Sequence, residues 1–336
     1  MSKTATKKKV KVVPVWMGIL VALAAFGAGA ASKTMITPGW SKQYAVAWSD
    51  NLGTLKIDLP YGEGEANKFD LYLPKDSSRE TYGLAVYLHA GGFTSGDKAG
   101  DREMLSWLCS KGYVAAGINY TLRDEAHPEA SVLTQSNEIK DAIPEVIKAA
   151  EEAGYSIDKM TIAGGSAGHA LAMLYAYRDA KEAPVPVVFT FGGVGPSCFY
   201  KEDWDNYGLD RNTEESDQAA AALFSAMRGE MLSVEEIRDG SYIERMKPIS
   251  AAAYITPDAP PTVVAYGTHD RVQPFKGSLR LKAALEENHV DFKYIEFPTP
   301  ATACKTTAPS PNSGWKPLKN ILTNTCLWSK KGPVLC

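Results

Sequence analysis

The chain has 336 residues, 45% of them hydrophobic, with a formal net charge of −3. That suits a single α/β domain of the larger kind, one core plus an insertion. The balance offers no basic face, which excludes nucleic acid as a partner. The five cysteines (Cys109, Cys198, Cys304, Cys326, Cys336) form no metal-type cluster. No metal and no other cofactor is expected, and Cys109 and Cys198 read as small buried hydrophobes.

At the N-terminus, Lys3, Lys7, Lys8, Lys9 and Lys11 precede an uncharged run, Val12–Ala31. A run of about 20 apolar residues can span a bilayer, and Ala28-Gly29-Ala30 also fits a cleavage site. Residues 1–31 are therefore a membrane anchor or a signal peptide. In either case the positive-inside bias exports the body, anchored by residues 12–31 or secreted after cleavage.

Residues 32–298 read as the folded domain. Leu55–Leu73 carries two strand-like stretches around the turn-rich Tyr61-Gly62-Glu63-Gly64. Apolar, β-prone runs follow at Leu84–Leu88, Val114–Ile118, Met160–Ala163, Val185–Phe191, Thr262–Tyr266 and Phe292–Phe297. Helical patterns separate them at Arg102–Lys111, Gln135–Ala153, Gly168–Ala180 and Gly277–Asn288. The alternation predicts an α/β fold, a mainly parallel sheet with helices on both faces. A charged, aromatic segment at about 195–245, with a helix over Asp217–Arg228, breaks the rhythm. It is either a small cap over the strand C-termini or a solvated excursion.

The chemistry is concentrated in Lys159–Met173, where Gly164-Gly165-Ser166-Ala167-Gly168 joins a short strand to a helix. Such a turn strains its central residue and lifts the serine Oγ above the sheet, at the positive end of the new helix. Bulky residues at the flanking glycines would strike the adjoining strand and helix. This points to Ser166 as a nucleophile, with the Ala167 N–H as an oxyanion donor.

With that elbow, three further landmarks resemble the α/β-hydrolase fold. The likeness is to its esterase and lipase branch with an HGGG-type loop, related to hormone-sensitive lipase and bacterial acyl-ester hydrolases. Leu84–Leu88 runs into His89-Ala90-Gly91-Gly92-Phe93, similar to the oxyanion loop with alanine for the first glycine. Gly117-Ile118-Asn119-Tyr120 resembles the end of the next strand, and Thr262–Gly267 with Thr268-His269-Asp270 resembles the strand and loop carrying the acid. The likeness covers about Lys56 to Pro298. It implies that Gly91 or Gly92 gives the second oxyanion donor, where glycine would let the backbone approach the substrate. It also implies that His89 braces the loop and that Asp270 orients the base; a turn aspartate is the plainer reading of Asp270.

The base itself is missing. His169 falls on the elbow helix, His269 adjoins Asp270, His127 lies in a loop and His289 precedes the last strand, so all read as structural. The order Ser, Asp, His requires a histidine near Pro298. Instead, residues 299–336 contain no Asp or Glu and no helical period. A shifted reading frame accounts for this: starting a codon at the last base of Pro298 permits His-Ser-Gly-His-Gly-Leu, then an acidic amphipathic helix. A genuine divergent tail is the alternative. Without a terminal helix, the last strand and its neighbours should present a bare apolar face.

The leading functional reading is an exported serine hydrolase that cleaves carboxylic esters through an acyl-enzyme on Ser166. Its partners would be a small-molecule ester and, through the N-terminal segment, a membrane. A catalytically silent α/β-hydrolase domain acting in binding and a serine peptidase of the same fold are the alternatives. No residue names the acyl group, the alcohol or the oligomeric state.

Overall fold

Eight strands form one sheet in the order β1-β2-β4-β3-β5-β6-β7-β8. They are β1 (Gly53–Pro60), β2 (Lys68–Pro74), β3 (Tyr82–Leu88), β4 (Val114–Ile118), β5 (Ile157–Gly165), β6 (Val187–Gly193), β7 (Thr262–Gly267) and β8 (Phe292–Phe297). β2 pairs antiparallel with both β1 and β4, and the strands from β4 to β8 are parallel. This computed structural model describes residues 46–298; the expectations for 1–31 and 299–336 lie outside the described residues.

The helices are α1 (Arg102–Ser110), α2 (Val132–Glu152), α3 (Ala167–Leu174), α4 (Glu214–Arg228), α5 (Val234–Asp239), α6 (Tyr242–Met246) and α7 (Phe275–Glu287). The central parallel strands lack the polar alternation of a one-sided sheet because both faces are covered. Leu84, Val86 and Leu88 of β3 enter one core cluster with α2 and α3, whereas Ala85 joins Leu105, Leu108 and Cys109 of α1. Cys109 and Cys198 are buried free thiols, each pushed up to about 12 by burial. Among the described residues no helix is long and apolar enough to cross a membrane.

Two sequence expectations change. The helix after Ser166 ends at Leu174 and continues as a π-helical turn, Tyr175–Asp179, rather than running as α-helix to Ala180. Cover over the last strand and its neighbours is uneven: Phe292, Tyr294, Ile295 and Phe297 of β8 are only half-buried, whereas Phe189 and Phe191 stack at 5.8 Å and are buried with Ala163 and Val263. The 195–245 segment is also not merely a solvated excursion. Phe199, Trp204, Phe224 and Tyr242 bury one another in edge and stacked contacts. Its charges are paired: buried Asp217 takes Lys201 at 2.7 Å and Arg238 at 3.1 Å, and Asp203 pairs with Arg280 of α7.

Candidate active site

Because the central strands are parallel, the loops leaving β3, β5 and β7 emerge on one edge of the sheet. These are the loops of His89–Phe93, Ser166 and Asp270. β3 and β5 are neighbours, with Leu88 level with Gly164, and β6 separates β5 from β7.

Ser166 adopts φ 51° and ψ −117°, a region unfavourable for a residue with a Cβ. Its surroundings over-determine that conformation. Its N–H donates to the Gly193 carbonyl at 2.9 Å, and its carbonyl accepts from Ala170 N–H at 3.1 Å. A Cβ on Gly164 would lie 2.4 Å from the Gly168 carbonyl carbon, and one on Gly168 only 2.0 Å from the Leu88 carbonyl oxygen. Both flanking glycines are thus required by contact with helix and strand. Ala167 opens α3, so its N–H has no acceptor one turn back. Among the described residues, no side chain hydrogen-bonds to Ser166 Oγ.

In the glycine-rich loop, Gly91 (φ 144°), Gly92 (φ 62°) and Phe93 (φ 68°) form a run of positive φ. The reason for glycine at 91 differs from the expected one. A Cβ there would sit 1.7 Å from the Ser95 carbonyl oxygen, so the loop's own turn forbids it. That turn is closed on the Gly91 carbonyl by Ser95 N–H at 3.0 Å and Ser95 Oγ at 2.8 Å. The loop also rests on α2, where Gln135 Nε2 donates to the Phe93 carbonyl at 2.9 Å. His89 is buried and stacks on Tyr120 at 4.3 Å, and the Tyr120 hydroxyl donates to the His89 carbonyl at 2.8 Å. Burial holds its imidazole below the ordinary histidine range.

Asp270 lies just past β7 and is 8% exposed. Its Oδ1 accepts from Val272 N–H at 2.8 Å and Gln273 N–H at 3.1 Å, a pattern that also suits a turn aspartate. A cavity of ≈ 340 Å³ beside it is lined by Asp205, Asn206, Thr268, Asp270, Phe275 and Lys276. The insertion thus reaches this loop: Asn206 Nδ2 donates to the Arg271 carbonyl at 3.2 Å and Tyr207 hydroxyl to that of Val272 at 2.9 Å. Burial, with the Asp270 charge adding to it, pushes the Tyr207 hydroxyl up to about 12. A second cleft of ≈ 470 Å³ runs between α4 and the loop of Arg123 and Pro128.

The histidines are dispersed. His269 is exposed with Nδ1 2.9 Å from Thr268 Oγ1, His127 is exposed beside Glu129, and His289 is exposed after α7. His169 is fully buried on α3, where its Nδ1 accepts from Gly195 N–H at 3.2 Å and its Nε2 has no partner. Burial pushes its pKa down from 6.5 to about 3. Between those values the unfolded chain holds the extra proton, so stability from this residue is complete above pH 6.5 and lost as pH falls toward 3. The loss is at most about 1.4 kcal/mol per pH unit. His169→Gln is expected to flatten the decline of stability in urea melts between pH 6.5 and 4. An unchanged slope would show that His169 already binds its proton in the folded state.

A family model, BD-FAE, matches residues 69–285. The chain belongs to the BD-FAE family. Its fold is that of esterase-type α/β-hydrolases. Esterase B from Lactobacillus rhamnosis superposes with a TM-score of 0.60 at 19% identity, covering 85% of both chains. A thermophilic esterase of Thermogutta terrifontis gives 0.61 at 17%, covering 84% of this chain and 96% of that one. At such identities the likeness shows the fold alone. The kynurenine formamidase of Danio rerio is 31% identical over 126 residues, 37% of this chain and 39% of that protein. That of Salmo salar is 29% identical over 124 residues. This BD-FAE chain therefore spans about two-fifths of the length of these two formamidases.

Among the described residues, no group of three or more His, Cys, Asp or Glu side chains could hold a metal ion. Around the glycine-rich loop, the buried polar cluster of Lys98 with Asp58 and Asp70, the stacking of Tyr120 on His89 and the hydrogen bond of Gln135 to Phe93 were not legible from local sequence patterns. One signal was available. Asp70 interrupts an apolar strand, Phe69-Asp70-Leu71-Tyr72-Leu73, and a buried carboxylate needs a partner.

Proposed function

We propose that this chain is, by descent, an exported serine hydrolase that cleaves carboxylic esters through an acyl-enzyme on Ser166. The observation that carries the reading is the strained backbone of Ser166 at the head of α3. Such conformations persist where function selects them. In the reaction, Ser166 Oγ attacks the ester carbonyl carbon as its proton passes to a base. The tetrahedral oxyanion takes hydrogen bonds from the N–H groups of Ala167 and of Gly91 or Gly92, and the alcohol leaves with the proton. Water then repeats the sequence and frees the acid. Asp270 orients the base.

No described histidine meets the requirement for that base. With β6 between β5 and β7, Ser166 and Asp270 stand about two strand spacings apart, roughly 10 Å, a gap suited to an imidazole from a third loop. β8 ends beside β7, with Phe297 level with Gly267, so a histidine shortly after Pro298 would fill the role. The tail 299–336 offers none, and we attribute this to a shifted reading frame. With this tail, the chain should have little activity. Both cavities are lined partly by residues 205–234, which supports a cap role for the insertion. The formamidase relatives keep an acyl bond to nitrogen as a further candidate for cleavage. Export rests on the N-terminal lysines and the apolar run at 12–31.

A fluorophosphonate probe is expected to label Ser166 in protein carrying the restored tail, and the Ser166→Ala variant should not be labelled. Undiminished labelling of that variant would remove Ser166 from the mechanism.

A further inference from the structure

The loop of Gly91 and Gly92 is held at its exit by a buried charge. Lys98, only 4% exposed, directs Nζ to Asp58 Oδ1 at 2.7 Å and to Asp70 Oδ1 at 3.2 Å. Asp70 is equally buried, at 3%, in the middle of β2. Asp58 shapes the pair from β1. Its φ of 56° lies at the irregularity between Lys56 and Leu59, and its own N–H donates to Asp70 Oδ1 at 2.9 Å. A non-glycine residue held at positive φ marks a site that the surroundings insist on. Here the irregular turn directs both an N–H and a carboxylate at one buried cluster.

The main chain is tied at the same point. Lys98 N–H donates to Asn119 Oδ1 at 2.7 Å, Asn119 Nδ2 to Asp97 Oδ2 at 2.7 Å, and the Tyr61 hydroxyl to the Asn119 carbonyl at 2.7 Å. At the loop's entry, Tyr120 holds His89, and Gly96 passes so close to His89 that a Cβ would lie 2.4 Å from Nδ1. The arch 90–96 is thus fastened at both feet, and the hairpin β1–β2 supplies the far fastening.

We propose that Lys98 is a positioning residue: held by Asp70 and Asp58, it fixes the glycine-rich loop so that the Gly91 and Gly92 amides face the reacting carbonyl. This rests on the reading of those amides as oxyanion donors. A buried ion pair adds little net stability compared with apolar side chains of similar volume, so geometry is the better account of this one. Loss of the clamp should let the donors drift, and misplacement by about 1 Å can lower a rate about 100-fold.

The test is the double variant Lys98→Met/Asp70→Asn, which removes the clamp without leaving an uncompensated buried charge. Asp58→Ala, at an exposed position, is the milder companion. Tyr155→Phe, which deletes a hydrogen bond to the Pro74 carbonyl at the end of β2, serves as a control for general loosening. Hydrogen exchange by mass spectrometry is read on peptides covering 89–97 and 157–165, alongside residual hydrolysis of p-nitrophenyl acetate. Exchange at 89–97 should accelerate about 10-fold in the double variant and less in Asp58→Ala, with 157–165 unchanged. The kcat should fall about 10-fold at a KM within about twofold. Unchanged exchange and kcat in both clamp variants would overturn the proposal, as would an equal effect of Tyr155→Phe. If Ser166→Ala hydrolyses the ester as well as the parent, the ester-hydrolase reading fails instead, and exchange alone decides the role of Lys98.

Discussion

Replacing residues 299–336 by the tail read in the shifted frame should raise ester hydrolysis on the order of 1,000-fold or more. Loss of the base from a serine triad costs that much or more, because the oxyanion donors and substrate binding supply only the remainder. Among the described residues no side chain hydrogen-bonds to Ser166 Oγ, so an imidazole supplied from a replaced tail would fill an open role. The change should show in kcat more than in KM, because a base acts on the transition state. A gain in unfolding free energy should accompany it, from the amphipathic helix that the shifted frame permits. The decisive reading is the DNA across codons 295 to 305. A coding sequence with no slip, together with a replaced tail that leaves kcat where it was, would end the frame argument.

The second large effect concerns folding. Gly168→Val should prevent stable folding or cost more than about 4 kcal/mol, because its Cβ would fall 2.0 Å from the Leu88 carbonyl oxygen and 2.6 Å from that of His89. Neither neighbour is a flexible side chain that could swing away. Relief would require α3 to lift off β3, exposing Leu171 and Leu174, which are fully buried. Gly165→Ala is the contrast. Its nearest contacts would be 3.6 Å to the Tyr87 hydroxyl and 3.9 Å to Ala90 Cβ, so it should be tolerated. Urea denaturation of the two variants checks this, and a Gly168→Val protein as stable as the parent would contradict the close approach.

The sheet was legible because parallel strands buried on both faces are written as uninterrupted apolar runs. Val114–Ile118, buried throughout, matches the observed strand end for end; the edge strand Phe292–Phe297 matches too, although Lys293 and Glu296 interrupt it and none of its residues is fully buried. The strained turn at Ser166 was legible because glycine, serine and glycine in that spacing answer a steric demand that a strand-to-helix turn imposes. The insertion was not. Its charges read equally well as solvated, since a sequence does not reveal that Lys201 and Arg238 converge on Asp217. The start of α4 moved from Asp217 to Glu214 because Thr213 and Ser216 form a capping box, a signal present in the sequence but weaker than the acidic residues around it. The Lys98 clamp joins residues distant along the chain, and no local pattern announces such a pairing.

The contact of Gly168 with the last residue of β3 also has a mechanical consequence. The elbow helix and the root of the glycine-rich loop touch backbone to backbone, with no compressible side chain between them. Thermal breathing of the sheet should therefore carry Ser166 and the start of that loop together, as two jaws cut from one block. Transplanting the glycine-rich loop alone onto another scaffold would leave that coupling behind. A graft would have to bring β3, the elbow and the first turn of α3 as one piece.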